Sequence, residues 1–148
     1  MIFKNQKELE AFLLQKCKVA LERSQNQVYK IIDLYLNRFY ADYDPVWYDR
    51  TGKLLRSLVK GEIKKDGKGY KAEIYFDLDY SYNTGSNPSG KQVMDAASYG
   101  GHGAEGLRVV AGDTGVNIWN DPIQQIDAEA INILIDMLIA EGIPVKRG

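Results

Sequence analysis

Apolar residues recur at steps of three and four from Leu9, Phe12 and Leu13 through Cys17, Ala20, Leu21 and Val28 to Ile31, Ile32, Tyr35 and Phe39. That spacing draws one stripe along an α-helix, which turns once in about 3.6 residues. Asn5 offers an N-cap oxygen, and Glu8 three residues later completes a capping-box-like start, so the pattern predicts a helix over 5–40. The stripe weakens at Ser24, Gln25, Asn26 and Gln27, where helix propensity is lower, and a break or bend is expected there if anywhere. Unbroken, the helix spans about 54 Å at 1.5 Å per residue. A compact chain of 148 residues is roughly 38 Å across. The helix then overhangs its own domain, and its apolar stripe needs a partner, expected to be another subunit.

Further along, the period changes. Residues 41–50 read as an irregular aromatic linker, with Pro45 disfavouring helix at Asp44. Thr51 is placed to cap a short helix over 51–58, with Leu54, Leu55 and Leu58 facing inward. Over 59–77 the alternation has period two: Val59, Gly61 and Ile63 against Lys60, Glu62 and Lys64, a turn at 66–69, then Tyr70, Ala72, Ile74 and Phe76 against Lys71, Glu73, Tyr75 and Asp77. That is a β-hairpin with one packed and one outward face. Residues 78–106 are the least regular and are expected to be a mobile loop region that orders in an assembly, with a short helix over 91–99. Short strands are expected within 107–120, at 107–111 and 116–119. A last helix over 122–141 has Asp121 as cap, Pro122 in its first position, Gly142 at its end and Pro144 beyond. Ile131 and Ile135 widen its apolar stripe. The expected fold class is α+β: a long N-terminal helix and a C-terminal helix packed on a small antiparallel β-sheet, in a single domain over 1–148.

Composition narrows the function classes. Hydrophobic residues at 45% and charged residues at 26% are globular values, which argues against disorder of the whole chain. No stretch approaches the roughly 20 apolar residues of a bilayer crossing, so no membrane partner is expected. The N-terminus lacks the apolar core of a signal peptide. The net charge of −1 conceals an asymmetry: residues 1–71 carry +6 and residues 72–148 carry −7. Either these charges pair across one molecule's surface, or the molecule has a positive and a negative side able to dock head to tail on its own copies. Sequence-specific nucleic-acid binding is not favoured, since acidic residues are interleaved among the basic ones.

Candidate chemistry is sparse. One Cys17 and one His102 rule out a disulfide framework and His-pair metal motifs. Cys17 lies on the apolar stripe and reads as a small hydrophobe. The glycine-rich run 100–103 lacks the ending of a phosphate-cradling loop, and the run 112–115 reads as a turn. Asp49, Glu62 and Lys64 together could place metal-binding carboxylates beside a lysine, the arrangement of a small metal-dependent nuclease, but Glu62 and Lys64 belong to the outward face of their strand. The chain has ten tyrosines, and the Tyr/Trp cluster of Tyr40, Tyr43, Trp47 and Tyr48, with Tyr70, Tyr75, Tyr80 and Tyr82, fits core packing or protein contact, and base stacking less well. No catalytic residue, cofactor or metal is expected, and the chain is not read as an enzyme.

The run at 48–58, Tyr-Asp-Arg-Thr-Gly-Lys-Leu-Leu-Arg-Ser-Leu, resembles the head–tail joining, or tail-completion (neck), proteins of long-tailed bacteriophages. Their run is Arg-Thr-Gly-x-Leu-x-x-Ser, between a long helix and a hairpin; Arg50, Thr51, Gly52, Leu54 and Ser57 match it, with Tyr48 just upstream. The resemblance implies a virion structural protein, made in the host cytoplasm, that forms a ring between capsid and tail. It implies portal-side connector and tail proteins as partners, besides the chain itself, with DNA free to pass through the ring. In the motif, Thr51 reads as a helix cap, Gly52 as a close-packing position, Leu54 and Leu58 as core, and Arg50 as a link to an acidic neighbour or the next subunit.

Overall fold

The first helix starts where its cap predicts. The structure, a computed structural model, describes residues 2–42, 52–81, 89–99 and 118–146. Asn5 Oδ1 accepts the backbone N–H of Glu8 at 3.0 Å, and the Glu8 carboxylate accepts the N–H of Lys4 at 2.8 Å. Two of the N–H groups at the helix start are thereby satisfied, and α1 runs from Gln6 to Asp42. It is unbroken through 24–27. Three of the four polar residues there have partners rather than weakening the helix: Ser24 Oγ donates back to the Ala20 carbonyl at 2.8 Å, and Gln25 and Asn26 hold the hairpin.

After α2 (Lys53–Arg56) come β1 (Leu58–Lys60), β2 (Lys64–Asp66), β3 (Gly69–Lys71) and β4 (Ile74–Phe76). The helix expected over 51–58 is thus a single turn. It stops because Ser57 folds back on it, its N–H and its Oγ both donating to the Leu54 carbonyl, so Leu58 is free to start a strand. β2 and β3 pair antiparallel, with Lys64 opposite Lys71, Lys65 opposite Tyr70 and Asp66 opposite Gly69. Gly67 takes φ 56° in the two-residue turn. β1 pairs with β4. The expected hairpin is present, and its alternation holds: 59, 61, 63, 70, 72, 74 and 76 are half-buried, while 60, 62, 64, 71, 73, 75 and 77 are exposed.

Helix α3 (Gly90–Tyr99) is opened by a capping box the sequence reading did not find. Ser89 Oγ accepts the Gln92 N–H at 3.3 Å, and Gln92 Oε1 accepts the Ser89 N–H at 2.9 Å. Helix α4 (Asn120–Ala140) begins two residues before the expected start, which puts Asp121 and Pro122 inside its first turn. Pro122 costs no hydrogen bond there. Its end is a Schellman motif on Gly142, φ 81°: Ile143 N–H donates to the Leu138 carbonyl and Gly142 N–H to that of Ile139. The strands expected at 107–111 and 116–119 lie outside the described residues except for Ile118 and Trp119, which form a turn. The expected mobility of 78–106 is outside them too, apart from 78–81 and 89–99.

The fold is α+β, as expected. The chain groups into two compact units, one of Met1–Tyr29, Lys60–Ile74 and Asp127–Gly148, the other of Lys30–Val59 and Tyr75–Ile126. The second unit holds most of the deeply buried apolar side chains: Leu36, Phe39, Leu54, Leu58, Val93, Met94 and Ile118. Leu36 lies beside the predicted stripe rather than on it. In the first unit, Ala20 is the buried hydrophobic residue among those described.

Candidate assembly surface

The Gly52–Ser57 turn is built around backbone needs. Gly52 has φ 66°, in the left-handed region that side chains rarely adopt, and a Cβ there would meet only the flexible end of Arg56 at 3.0 Å. Its requirement is therefore conformational, which corrects the close-packing expectation. Gly52 also stands in the N-cap position of α2, without a side-chain cap, where Thr51 was expected to cap. Leu54 is buried, as expected of a core position. Ser57 is buried as well, and its carbonyl accepts the Asp77 N–H at 2.7 Å, tying the turn to the residue after β4. Tyr48, Arg50 and Thr51 lie outside the described residues.

In the first unit, α1 carries the hairpin on one buried amide. Gln25 Nε2 donates to the Gly61 and Glu73 carbonyls, each at 2.8 Å, and Gly61 N–H donates to the same Glu73 carbonyl at 2.9 Å. The side chain enters where β1–β4 pairing gives way to β2–β3 pairing. Asn26 Oδ1 accepts from Lys60 Nζ, and Lys18 Nζ sits 5.8 Å from the Tyr70 ring centroid. On the outward face, Lys71 Nζ meets Glu73 Oε1 at 2.6 Å. The hydrogen bond and charge of Lys71 hold the Glu73 carboxyl below its ordinary value, and the same contact pushes the Lys71 ammonium up.

The N-terminal part of α1 and the C-terminal part of α4 share Glu141. Its carboxylate pairs with Arg23 at 2.7 Å and Lys16 at 3.4 Å, and its side chain is only 9% exposed. Elsewhere on these two helices some large apolar side chains are exposed. Leu9 is 39% and Leu13 38% exposed on the predicted stripe, and on α4 Ile131 is 74% and Ile139 47% exposed. Four large apolar residues of this unit's helices are thus exposed among the described residues.

Glu62 and Lys64 are both exposed on the outward face of the hairpin, while Asp49 is outside the described residues. Among the described residues no group of three His, Cys, Asp or Glu side chains is placed to hold a metal ion, and no helix is long and apolar enough to cross a membrane. Cys17 is free and half-buried on α1. His102 and the glycine runs at 100–103 and 112–115 lie outside the described residues. Of the tyrosines, Tyr75 is exposed and Tyr40, Tyr70 and Tyr80 are half-buried. The sequence reading overlooked Gln25, whose signal was present only as a polar residue amid an apolar stripe.

A family model, YomN, matches residues 5–140. The chain belongs to the YomN family. The match runs from the Asn5 cap to the last residue of α4, so every described element of this YomN chain falls inside it. The family is phage-associated, which supports the phage part of the resemblance at 48–58. No curated protein and no solved structure matches the chain.

Proposed function

We propose that this YomN-family chain is a structural component of the phage particle: a head–tail connector, or neck, protein whose copies form a ring between capsid and tail. It acts through contacts with its own copies, with a portal-side connector and with tail proteins, and not by catalysis. Assembly takes place in the host cytoplasm, and the finished protein resides in the virion.

The observation that carries this reading is the uncovered apolar surface of the first unit, where Leu9, Leu13, Ile131 and Ile139 stay exposed on α1 and α4 while Ala20 is the buried hydrophobic residue among those described. Subunit contact buries such side chains and gains about 25 cal/mol for each Å² of apolar surface removed from water. The phage-associated family and the Gly52-x-Leu54-x-x-Ser57 part of the motif support the same reading. Mass spectrometry of purified particles, with electron microscopy of particles made without the gene, tests it. The protein is expected in fixed copy number in particles, and its loss should leave filled heads unjoined to tails. Normal tailed particles without the protein would overturn the proposal.

A further inference from the structure

The tip of the β2–β3 hairpin gathers four lysines, Lys64, Lys65, Lys68 and Lys71, beside one acid, Asp66. All five are exposed, and 64–68 are exposed without a break, so both faces of the ribbon are open at this end. Lys64 stands directly opposite Lys71 in the strand register, a like-charge pairing that costs stability. Glu73 pairs with Lys71, Asp66 acts on Lys71 as well, and Glu73 is close enough to feel Lys64. Among the described residues no ion pair engages Lys64, Lys65 or Lys68. An anion from outside the chain would relieve the repulsion among these lysines.

We infer that the hairpin tip binds duplex DNA without regard to sequence, seated at the major groove with Lys64, Lys65 and Lys68 on the phosphates of its walls. The make-up of the tip decides among anionic partners. Its one large apolar side chain, Tyr70, is half-buried, with Lys18 Nζ 5.8 Å from the ring centroid. The tip therefore has nothing to insert into a lipid surface and no open ring on which to stack an unpaired base. Two paired strands lie about 5 Å apart. The major groove of B-DNA, about 12 Å wide, admits such a ribbon, whereas that of an RNA duplex is too narrow. Duplex DNA carries one negative charge per about 1.7 Å of axis, so a tip about 10 Å long meets more phosphates than it has lysines. No arginine, asparagine or glutamine stands among residues 64–71 to read base edges, so the contact positions the protein without selecting a sequence. This contact goes beyond the assembly reading and does not rest on it.

Fluorescence anisotropy of the full chain with a labelled duplex DNA of mixed sequence tests it across a salt series. The tip variant is Lys64→Gln with Lys65→Gln and Lys68→Gln. A control removes as much charge elsewhere, by Lys7→Gln with Lys30→Gln and Lys91→Gln. All six positions are exposed, and circular dichroism checks both folds. The unaltered protein is expected to bind at about 10–100 μM near physiological salt, with log K falling against log salt at a slope of about −3 for three phosphate contacts. The tip variant should bind at least about tenfold more weakly with a slope near zero, and the control should keep most of the affinity. A duplex left unbound at about 0.01 M salt would overturn the contact and leave the lysines as guards of an exposed strand edge. A control variant that loses as much as the tip variant would overturn it too, since net charge alone would then explain the binding. Duplex RNA, polyglutamate or vesicles of phosphatidylserine bound more tightly than the DNA would each overturn it in favour of that partner. Particle content is read separately, so a protein present in virions that binds no DNA removes this contact and leaves the virion role standing.

Discussion

Gln25 and Gly61 are joined by a side-chain amide standing in for a strand. Gln25 Nε2 lies 2.8 Å from the Gly61 carbonyl and 2.8 Å from that of Glu73, at the gap between the two ladders of the hairpin. Gln25→Ala leaves both carbonyls without this donor in a half-buried setting. We expect a loss of about 2 kcal/mol in urea unfolding. Gln25→Glu should be worse at neutral pH, since a carboxylate would face two carbonyl oxygens, and should recover partly as the pH is lowered and the carboxyl becomes a donor.

Gly90 and Gly67 separate two reasons for glycine. A Cβ on Gly90 would lie 2.5 Å from the Leu78 carbonyl and 2.8 Å from the Tyr80 ring, whereas one on Gly67 would meet nothing within 4 Å. Gly90→Ala should cost about 3 kcal/mol through overpacking. Gly67→Ala should cost about 1 kcal/mol, because only its positive φ is unfavourable. Equal melting temperatures for the two variants would contradict this division.

Glu141→Gln removes the carboxylate shared by Arg23 and Lys16. Both cations are partly exposed, so the expected loss lies between surface and buried pairs, about 1–2 kcal/mol. The difference between variant and unaltered protein should shrink in high salt.

The Lys71–Glu73 pair predicts a titration rather than a stability change, because both side chains are well exposed. Glu73 is depressed, so any stabilisation it lends is present above its ordinary value and is lost as the pH falls through the lower folded value. Lys71 is raised, so its part is present below the ordinary lysine value and is lost as the pH rises past it. Nuclear magnetic resonance titration should find the Glu73 midpoint below that of an ordinary glutamate, and Lys71→Met should return it.

Most of the regular fold was legible because its signals are local. The Asn5 cap and Glu8, the period-two alternation of 59–77, and Gly142 with Pro144 each act within a few residues, and the structure places them as read. What stayed hidden depends on partners distant in sequence. Gln25 looked like a weak point in α1 because its acceptors lie 36 and 48 residues away. Gly52 looked like a packing position because a sequence does not display φ. Ile131 seemed to widen the buried stripe of α4, yet it is 74% exposed: periodicity tells how wide an apolar face is, not whether the chain itself covers it. Leu9 and Leu13 do lie on the stripe read for α1, and both are exposed.

The interleaving of the two units has a consequence for synthesis. Each unit is made of separated stretches, and the first needs residues from both chain ends. On the ribosome, α1 and the hairpin are complete long before the residues that bring Glu141 to Arg23 and Lys16. The first unit therefore finishes only after the last helix has emerged, and until then α1 presents more apolar surface than it does in the finished protein. Shortened chains lacking 127–148 should then be the ones that aggregate or are degraded during expression.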